Sequence, residues 1–155
     1  MRIIFANGTP LEYFDAIHTF PIDGSVKRKG LLVKIMNPTV SLDELNRLLN
    51  DAANLETITL VNDQYPVVDE NGNPTGEFKT VTEVLDYYII KNSITLEDLL
   101  VEAETAESPA VYAPMLSFEL WQLTYNEIQQ QKTSAQAEAA EAQAVYTAMM
   151  TDTLI

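Results

Sequence analysis

The stretch that decides the fold is MLSFELWQLTYNEIQQQ, residues 115–131. Its first half alternates. Leu116, Phe118 and Leu120 fall on one side of an extended chain, and Ser117, Glu119 and Trp121 on the other, the pattern of a half-buried strand. At Thr124 the period changes. Thr124 and Glu127 stand three apart, the spacing at which each side chain can satisfy a backbone amide of the other at a helix start. From there to Met150 there is neither glycine nor proline, so a long helix follows directly on a strand. The chain is therefore expected to combine a sheet with a C-terminal helix.

Working outward, the helix has one defined face. Tyr125, Ile128, Lys132, Ala135, Ala139, Ala142, Tyr146 and Met149 are separated alternately by three and four residues. That is a heptad seam, with Tyr125, Lys132, Ala139 and Tyr146 at a and Ile128, Ala135, Ala142 and Met149 at d. Alanine buries little area, so the seam is thin in the middle. An isolated helix of this length is marginal in water. The expectation is a weak coiled coil, packed on copies of itself or along a partner; the plain alternative is a single exposed helix held by alanine's propensity.

Upstream of residue 115 the pattern is strand-rich. Ile3–Phe5, the turn formers Asn7–Pro10 and a resumed strand over Leu11–Phe20 read as a hairpin. PIDGSVKRKG, 21–30, reads as a loop, and LLVKIM, 31–36, as a strand stopped by Asn37-Pro38. SLDELNRLLND, 41–51, is a short helix. Ser41 and Glu44 cap it, and Leu42, Leu45, Leu48 and Leu49 form its apolar face. A strand over 56–63 leads into a hairpin with a polar tip, and extended chain is expected to continue from Val84 through 95–101, where a helical reading also fits. EAETAESPAVYAP, 102–114, reads as an acidic, proline-punctuated connector. The fold class is α+β: a small mixed or antiparallel β domain with one short helix over residues 1–101, the connector 102–114, then a strand and long helix over 115–155.

Composition limits the function. The 155 residues are 46% hydrophobic, enough for a core, and carry 23 acids against 9 bases, a formal charge of −14. From Asn92 onward stand ten acids (Glu97, Asp98, Glu102, Glu104, Glu107, Glu119, Glu127, Glu138, Glu141, Asp152) and one base, Lys132. Such a surface repels phosphate, which argues against nucleic acid and anionic membranes as partners. No run is long and apolar enough to span a membrane, and the first residues do not form an export signal, so cytoplasmic assembly is expected. There is no cysteine, hence no thiolate chemistry and no disulfide.

No catalytic constellation, cofactor motif or metal site is expected. The tip DENGNPTGE, 69–77, has oxygen ligands beside a glycine but lacks the spacing of a calcium loop, and reads as a plain turn. His18 is the single histidine and suits a structural role. Lys27, Arg28 and Lys29 are the one basic cluster; they read as a solvated loop, or as a dock for an acidic face of a copy or partner.

IIFANGTPLEYF (residues 3–14), SLDELNRLLND followed by NLETITLVND, and FELWQLTYNEIQQQKTSAQAE (118–138) together resemble small proteins encoded in the tail modules of phages and prophages of Gram-positive bacteria. In that group a β-rich domain is followed by an apolar strand and a helix start similar to QLTYNEIQ, 122–129. The resemblance implies a non-enzymatic virion protein of the tail tip or baseplate. Its partners would be other tail proteins and its own copies, such as in a trimer. It would be assembled in the host cytoplasm, with no cofactor. The alternative is an accessory protein outside the virion, a tail-assembly chaperone or an acidic host-directed inhibitor.

Overall fold

The computed structural model describes residues 1–154, with side chains through Met150. In chain order the elements are β1 (Arg2–Ile4), β2 (Pro10–Glu12), β3 (Asp15–Thr19), β4 (Ile22–Asp23), β5 (Val26–Lys27), β6 (Gly30–Met36), α1 (Leu42–Asn50), α2 (Ala52–Leu55), β7 (Thr57–Val68), β8 (Pro74–Asp86), β9 (Ile90–Glu102), β10 (Val111–Trp121) and α3 (Tyr125–Leu154). Two four-stranded sheets form, ordered β2-β1-β7-β8 and β3-β6-β10-β9, with β4 and β5 as a separate small hairpin. Every pairing is antiparallel. The α+β class stands.

The alternation in the opening stretch builds the second sheet. Leu116, Phe118 and Leu120 pair with Ile35, Val33 and Leu31 of β6, and all six are buried. They join one continuous core with Ile3 and Phe5, Ile58 and Leu60 of β7, Leu45 and Leu49 of α1, and Leu55 of α2. Burying each such side chain contributes about 1.5–3 kcal/mol. In α1 the expected apolar face is narrower than the leucine count suggests. Leu45 and Leu49 are buried and Leu48 half-buried, but Leu42, in the first turn, is exposed. The Ser41 hydroxyl accepts from the Glu44 amide at 3.1 Å, as expected. α1 stops at Asn50 because Asp51, extended at φ −94° and ψ 105°, caps a second short helix through the Ala53 amide, 3.1 Å away.

Several expectations need correction. The strand expected through Val84–Ile94 is broken at Tyr87–Ile89. Tyr87 takes φ 63° and donates its amide to Glu56 O at 2.8 Å, and this left-handed residue carries the chain from the first sheet to the second. The strand expected over Leu11–Phe20 is likewise two strands, β2 and β3, in different sheets. The loop at 21–30 contains the β4–β5 hairpin, with Gly24 at φ 62° in its turn. Gly30 follows it. A Cβ there would stand 2.2 Å from Thr19 Oγ1 and 3.3 Å from the Trp121 ring, so only glycine lets the three strands close at this end.

The segment 102–114, expected as a connector, is strand at both ends. Val111–Pro114 belong to β10, which lies between β6 and β9, and only residues 103–110 loop out. Segment 95–101 is strand, paired with β10. The chain divides into two compact units, Met1–Gln122 and Leu123–Ile155, so the division falls after β10 rather than before it. In the second unit the expected reciprocal cap is complete. The Glu127 amide donates to Thr124 Oγ1 at 3.3 Å, and the Thr124 amide donates to Glu127 Oε1 at 2.9 Å. Ile155 lies outside the described residues.

Candidate interaction surfaces

Both long hairpins outrun the core. β1 pairs with β7 only as far as Val61, so beyond that point β7 has β8 alone as neighbour. β6 pairs with β10 only from Met115 onward, so Val111–Pro114 have β9 alone. Each hairpin therefore continues as a two-stranded ribbon. The β7–β8 ribbon ends in the polar tip, where Asp69 Oδ1 accepts from the amides of Asn71 and Asn73, both at 2.9 Å. That carboxylate is occupied by the turn itself, and among the described residues no cluster of three or more His, Asp or Glu is placed to hold a metal.

At the base of this ribbon Asp63 binds the Arg2 guanidinium and accepts from the Thr80 hydroxyl at 3.0 Å. These two bonds, chiefly the one from Arg2, hold the Asp63 carboxyl below the usual carboxylate range. Nearby, His18 Nε2 of β3 meets Glu83 Oε1 of β8 at 3.0 Å and so ties the edges of the two sheets. This is the structural role expected of His18, at a more exposed place than a core residue. Burial raises the Tyr13 and Tyr88 hydroxyl pKa values, and the Glu83 charge adds to both shifts.

One face of the β9–β10 hairpin carries apolar side chains with a single acid, Asp98 opposite Pro114, among them. Phe118 opposite Ile94 points into the core, and the same face continues outward through Leu116 opposite Leu96 and Tyr112 opposite Leu100. Leu96 is 56% exposed, Leu100 50% and Tyr112 60%. Asp98 lies within this stripe, Glu97 on the opposite face, Glu102 at the end of β9 and Glu104 and Glu107 in the loop that follows, and there is no base from Asn92 through Gln122. A second apolar patch lies on the β4–β5 hairpin, with Phe20 77% and Ile22 66% exposed. Here the basic cluster divides. Arg28, expected as part of a solvated loop, is buried; its Nε binds Asp23 at 3.0 Å and its Nη1 binds Gln122 O at 3.2 Å. Lys27 and Lys29, on either side of it, are exposed.

On α3 the seam residues are Tyr125, Ile128, Lys132, Ala135, Ala139, Ala142, Tyr146 and Met149. All are exposed except Ile128, which is half-buried. Exposure is continuous from Gln129 to Met150 and does not distinguish the seam from the rest of the helix. The first unit also holds a cleft of about 1070 Å³ beside β2 and α1. Leu11, Tyr13, Val40 and Leu48 floor it, and Arg2 and Arg47 stand among its polar lining. The ribbons, the apolar patch at the base of the β4–β5 hairpin and the cleft were not foreseen from sequence. Phe20 and Ile22 flanking a basic run were the available signal for the hairpin.

Comparison with family models, with characterised proteins and with solved structures gives no match. Among the described residues no helix is long and apolar enough to cross a membrane.

Proposed function

We propose that the chain is a non-enzymatic structural component of a phage tail, at the tail tip or baseplate, which binds neighbouring virion proteins and clusters through its C-terminal helix. The observation that carries this reading is the accumulation of apolar side chains on exposed, regular secondary structure. Leu96, Leu100 and Tyr112 stand on a ribbon, and Val145 and Tyr146 on a helix exposed from Gln129 to Met150. Surfaces of this kind suit binding to other proteins. The tail assignment itself is supported by the sequence resemblance carried by residues 3–14, 41–63 and 118–138. An Ala-rich helix exposed over its length gains stability when its seam is covered.

Mass spectrometry of purified particles tests the location. The chain is expected among the tail proteins at a fixed copy number; its absence from particles that assemble normally would refute a virion role. For the helix, Ala135→Asp together with Ala142→Asp is expected to lower the solution mass seen by light scattering. An unchanged mass means that the seam does not hold copies together. The base-free acidic stretch from Asn92 through Gln122 favours the accessory-protein reading, and particles lacking the chain, with salt-sensitive capture of a DNA-binding host protein, would support it.

A further inference from the structure

We infer that copies of the chain associate head to tail, the β4–β5 hairpin of one copy docking on the β9–β10 ribbon of the next. The two patches have matching chemistry and opposite charge. The hairpin presents Phe20 and Ile22 beside exposed Lys27 and Lys29. The ribbon presents Leu96, Leu100 and Tyr112 beside Asp98 and Glu102. Charge is segregated along the chain in the same sense. Residues 1–50 hold six bases (Arg2, Lys27, Arg28, Lys29, Lys34, Arg47) against five acids (Glu12, Asp15, Asp23, Asp43, Glu44), while 92–122 hold six acids and no base. The low-salt repulsion expected between two chains of charge −14 is screened beyond about 8 Å at physiological ionic strength, whereas charges in contact still attract.

The sheet register forbids the two patches from meeting within one copy. Trp121, Gly30 and Thr19 are paired neighbours at the hairpin end of the second sheet. Val111 and Glu102 are paired at the other end of the same strands. Ten residue steps of β10 separate those ends, about 30 Å. Each copy thus carries the two halves of a heterologous contact towards opposite ends of β10, an arrangement that propagates from copy to copy and closes into a ring if the rotation allows. Arg28 gives the hairpin its fixed direction, because its bonds to Asp23 and Gln122 O fasten the hairpin to the end of β10. The patches are small, so a single contact is weak and concentration-dependent.

Charge reversal tests this independently of where the protein works. One variant carries Lys27→Glu and Lys29→Glu, the other Asp98→Lys and Glu102→Lys. All four sites are exposed, and both variants should keep the wild-type circular dichroism. In sedimentation at sub-millimolar concentration, with Ala135→Asp and Ala142→Asp present in every chain so that the α3 seam does not contribute, each charge-reversed variant alone is expected to lose the association that the unreversed chain keeps. An equimolar mixture is expected to recover it, since every junction in an alternating chain is then complementary; recovery also shows that each variant is folded. A seam-disabled chain without the charge reversals that is monomeric at that concentration would overturn the proposal, leaving the ribbon to a basic foreign partner. Variants with unchanged mass, or a mixture that stays dissociated, would overturn it equally.

Discussion

Strand β10 is two regions in one element. From Met115 to Leu120 it runs between β6 and β9 and sinks Leu116, Phe118 and Leu120 into the core; from Val111 to Ala113 β9 is its one partner strand, and Val111 and Tyr112 are exposed. The side chains of the two regions are similar in size and largely apolar, an aromatic opposite an aliphatic in each: Tyr112 with Leu100, Phe118 with Ile94. What differs is the second layer. Inside, the strand's side chains share one core with α1, α2 and the first sheet; outside, Val111, Tyr112 and Pro114 are exposed. An apolar alternating strand therefore shows that one face seeks burial, and leaves open whether the cover comes from the same chain or from another.

The largest effect that separates the two regions comes from matched truncations. Phe118→Ala is expected to cost about 3–5 kcal/mol in urea unfolding, while Tyr112→Ala should change stability by no more than about 0.5 kcal/mol. Equal losses would mean that the ribbon is covered within the monomer. A smaller effect is expected at Thr124, where replacement by Ala should destabilise the start of α3 by about 1 kcal/mol, read as lower helicity in far-ultraviolet circular dichroism with the unfolding of the β unit unchanged. Retained helicity would show that packing, not the cap, sets where α3 begins.

The smallest effect sharpens the boundary where the β7–β8 ribbon leaves the sheet. Because the Arg2 and Thr80 bonds lower the Asp63 pKa in the folded state, they favour folding above the ordinary carboxylate range, and this contribution fades as pH falls through the lowered value. Asp63→Asn should therefore lower the urea midpoint slightly at neutral pH and leave it equal to wild type in acid. A difference that persists in acid would mean that Asp63 acts through packing rather than charge.

Local signals were legible because their physics is local. Ser41 with Glu44, and Thr124 with Glu127, place caps three residues apart, and each hydroxyl accepts the amide that the spacing requires. Leu31–Met36 announce a core strand as an apolar run stopped by Asn37-Pro38. The burial of Arg28 was hidden, because its acceptor Gln122 O is ninety-four residues away and no pattern in KRK separates the middle charge from its neighbours. The break at Tyr87 was hidden for a similar reason. Tyr-Tyr-Ile-Ile favours extended chain by propensity, and only the need to pass between sheets, met by the bond to Glu56 O, puts a tyrosine at positive φ.

The candidate surfaces divide in the same way. The α3 seam follows from helical spacing, and the helix leaves it exposed. The ribbon stripe and the hairpin patch needed the register, since which residues share a face depends on strand partners far apart in the chain. The sequence by itself determined the α+β class, the starts of α1 and α3, the apolar core strands and the acidic second half, because propensity, capping and charge act over a few residues. Only the tertiary structure decided the split into two sheets, the reach of the ribbons beyond the core, the fate of each base in KRK and the opposite placement of the two complementary patches, because these depend on which distant segments find one another and bury a common face.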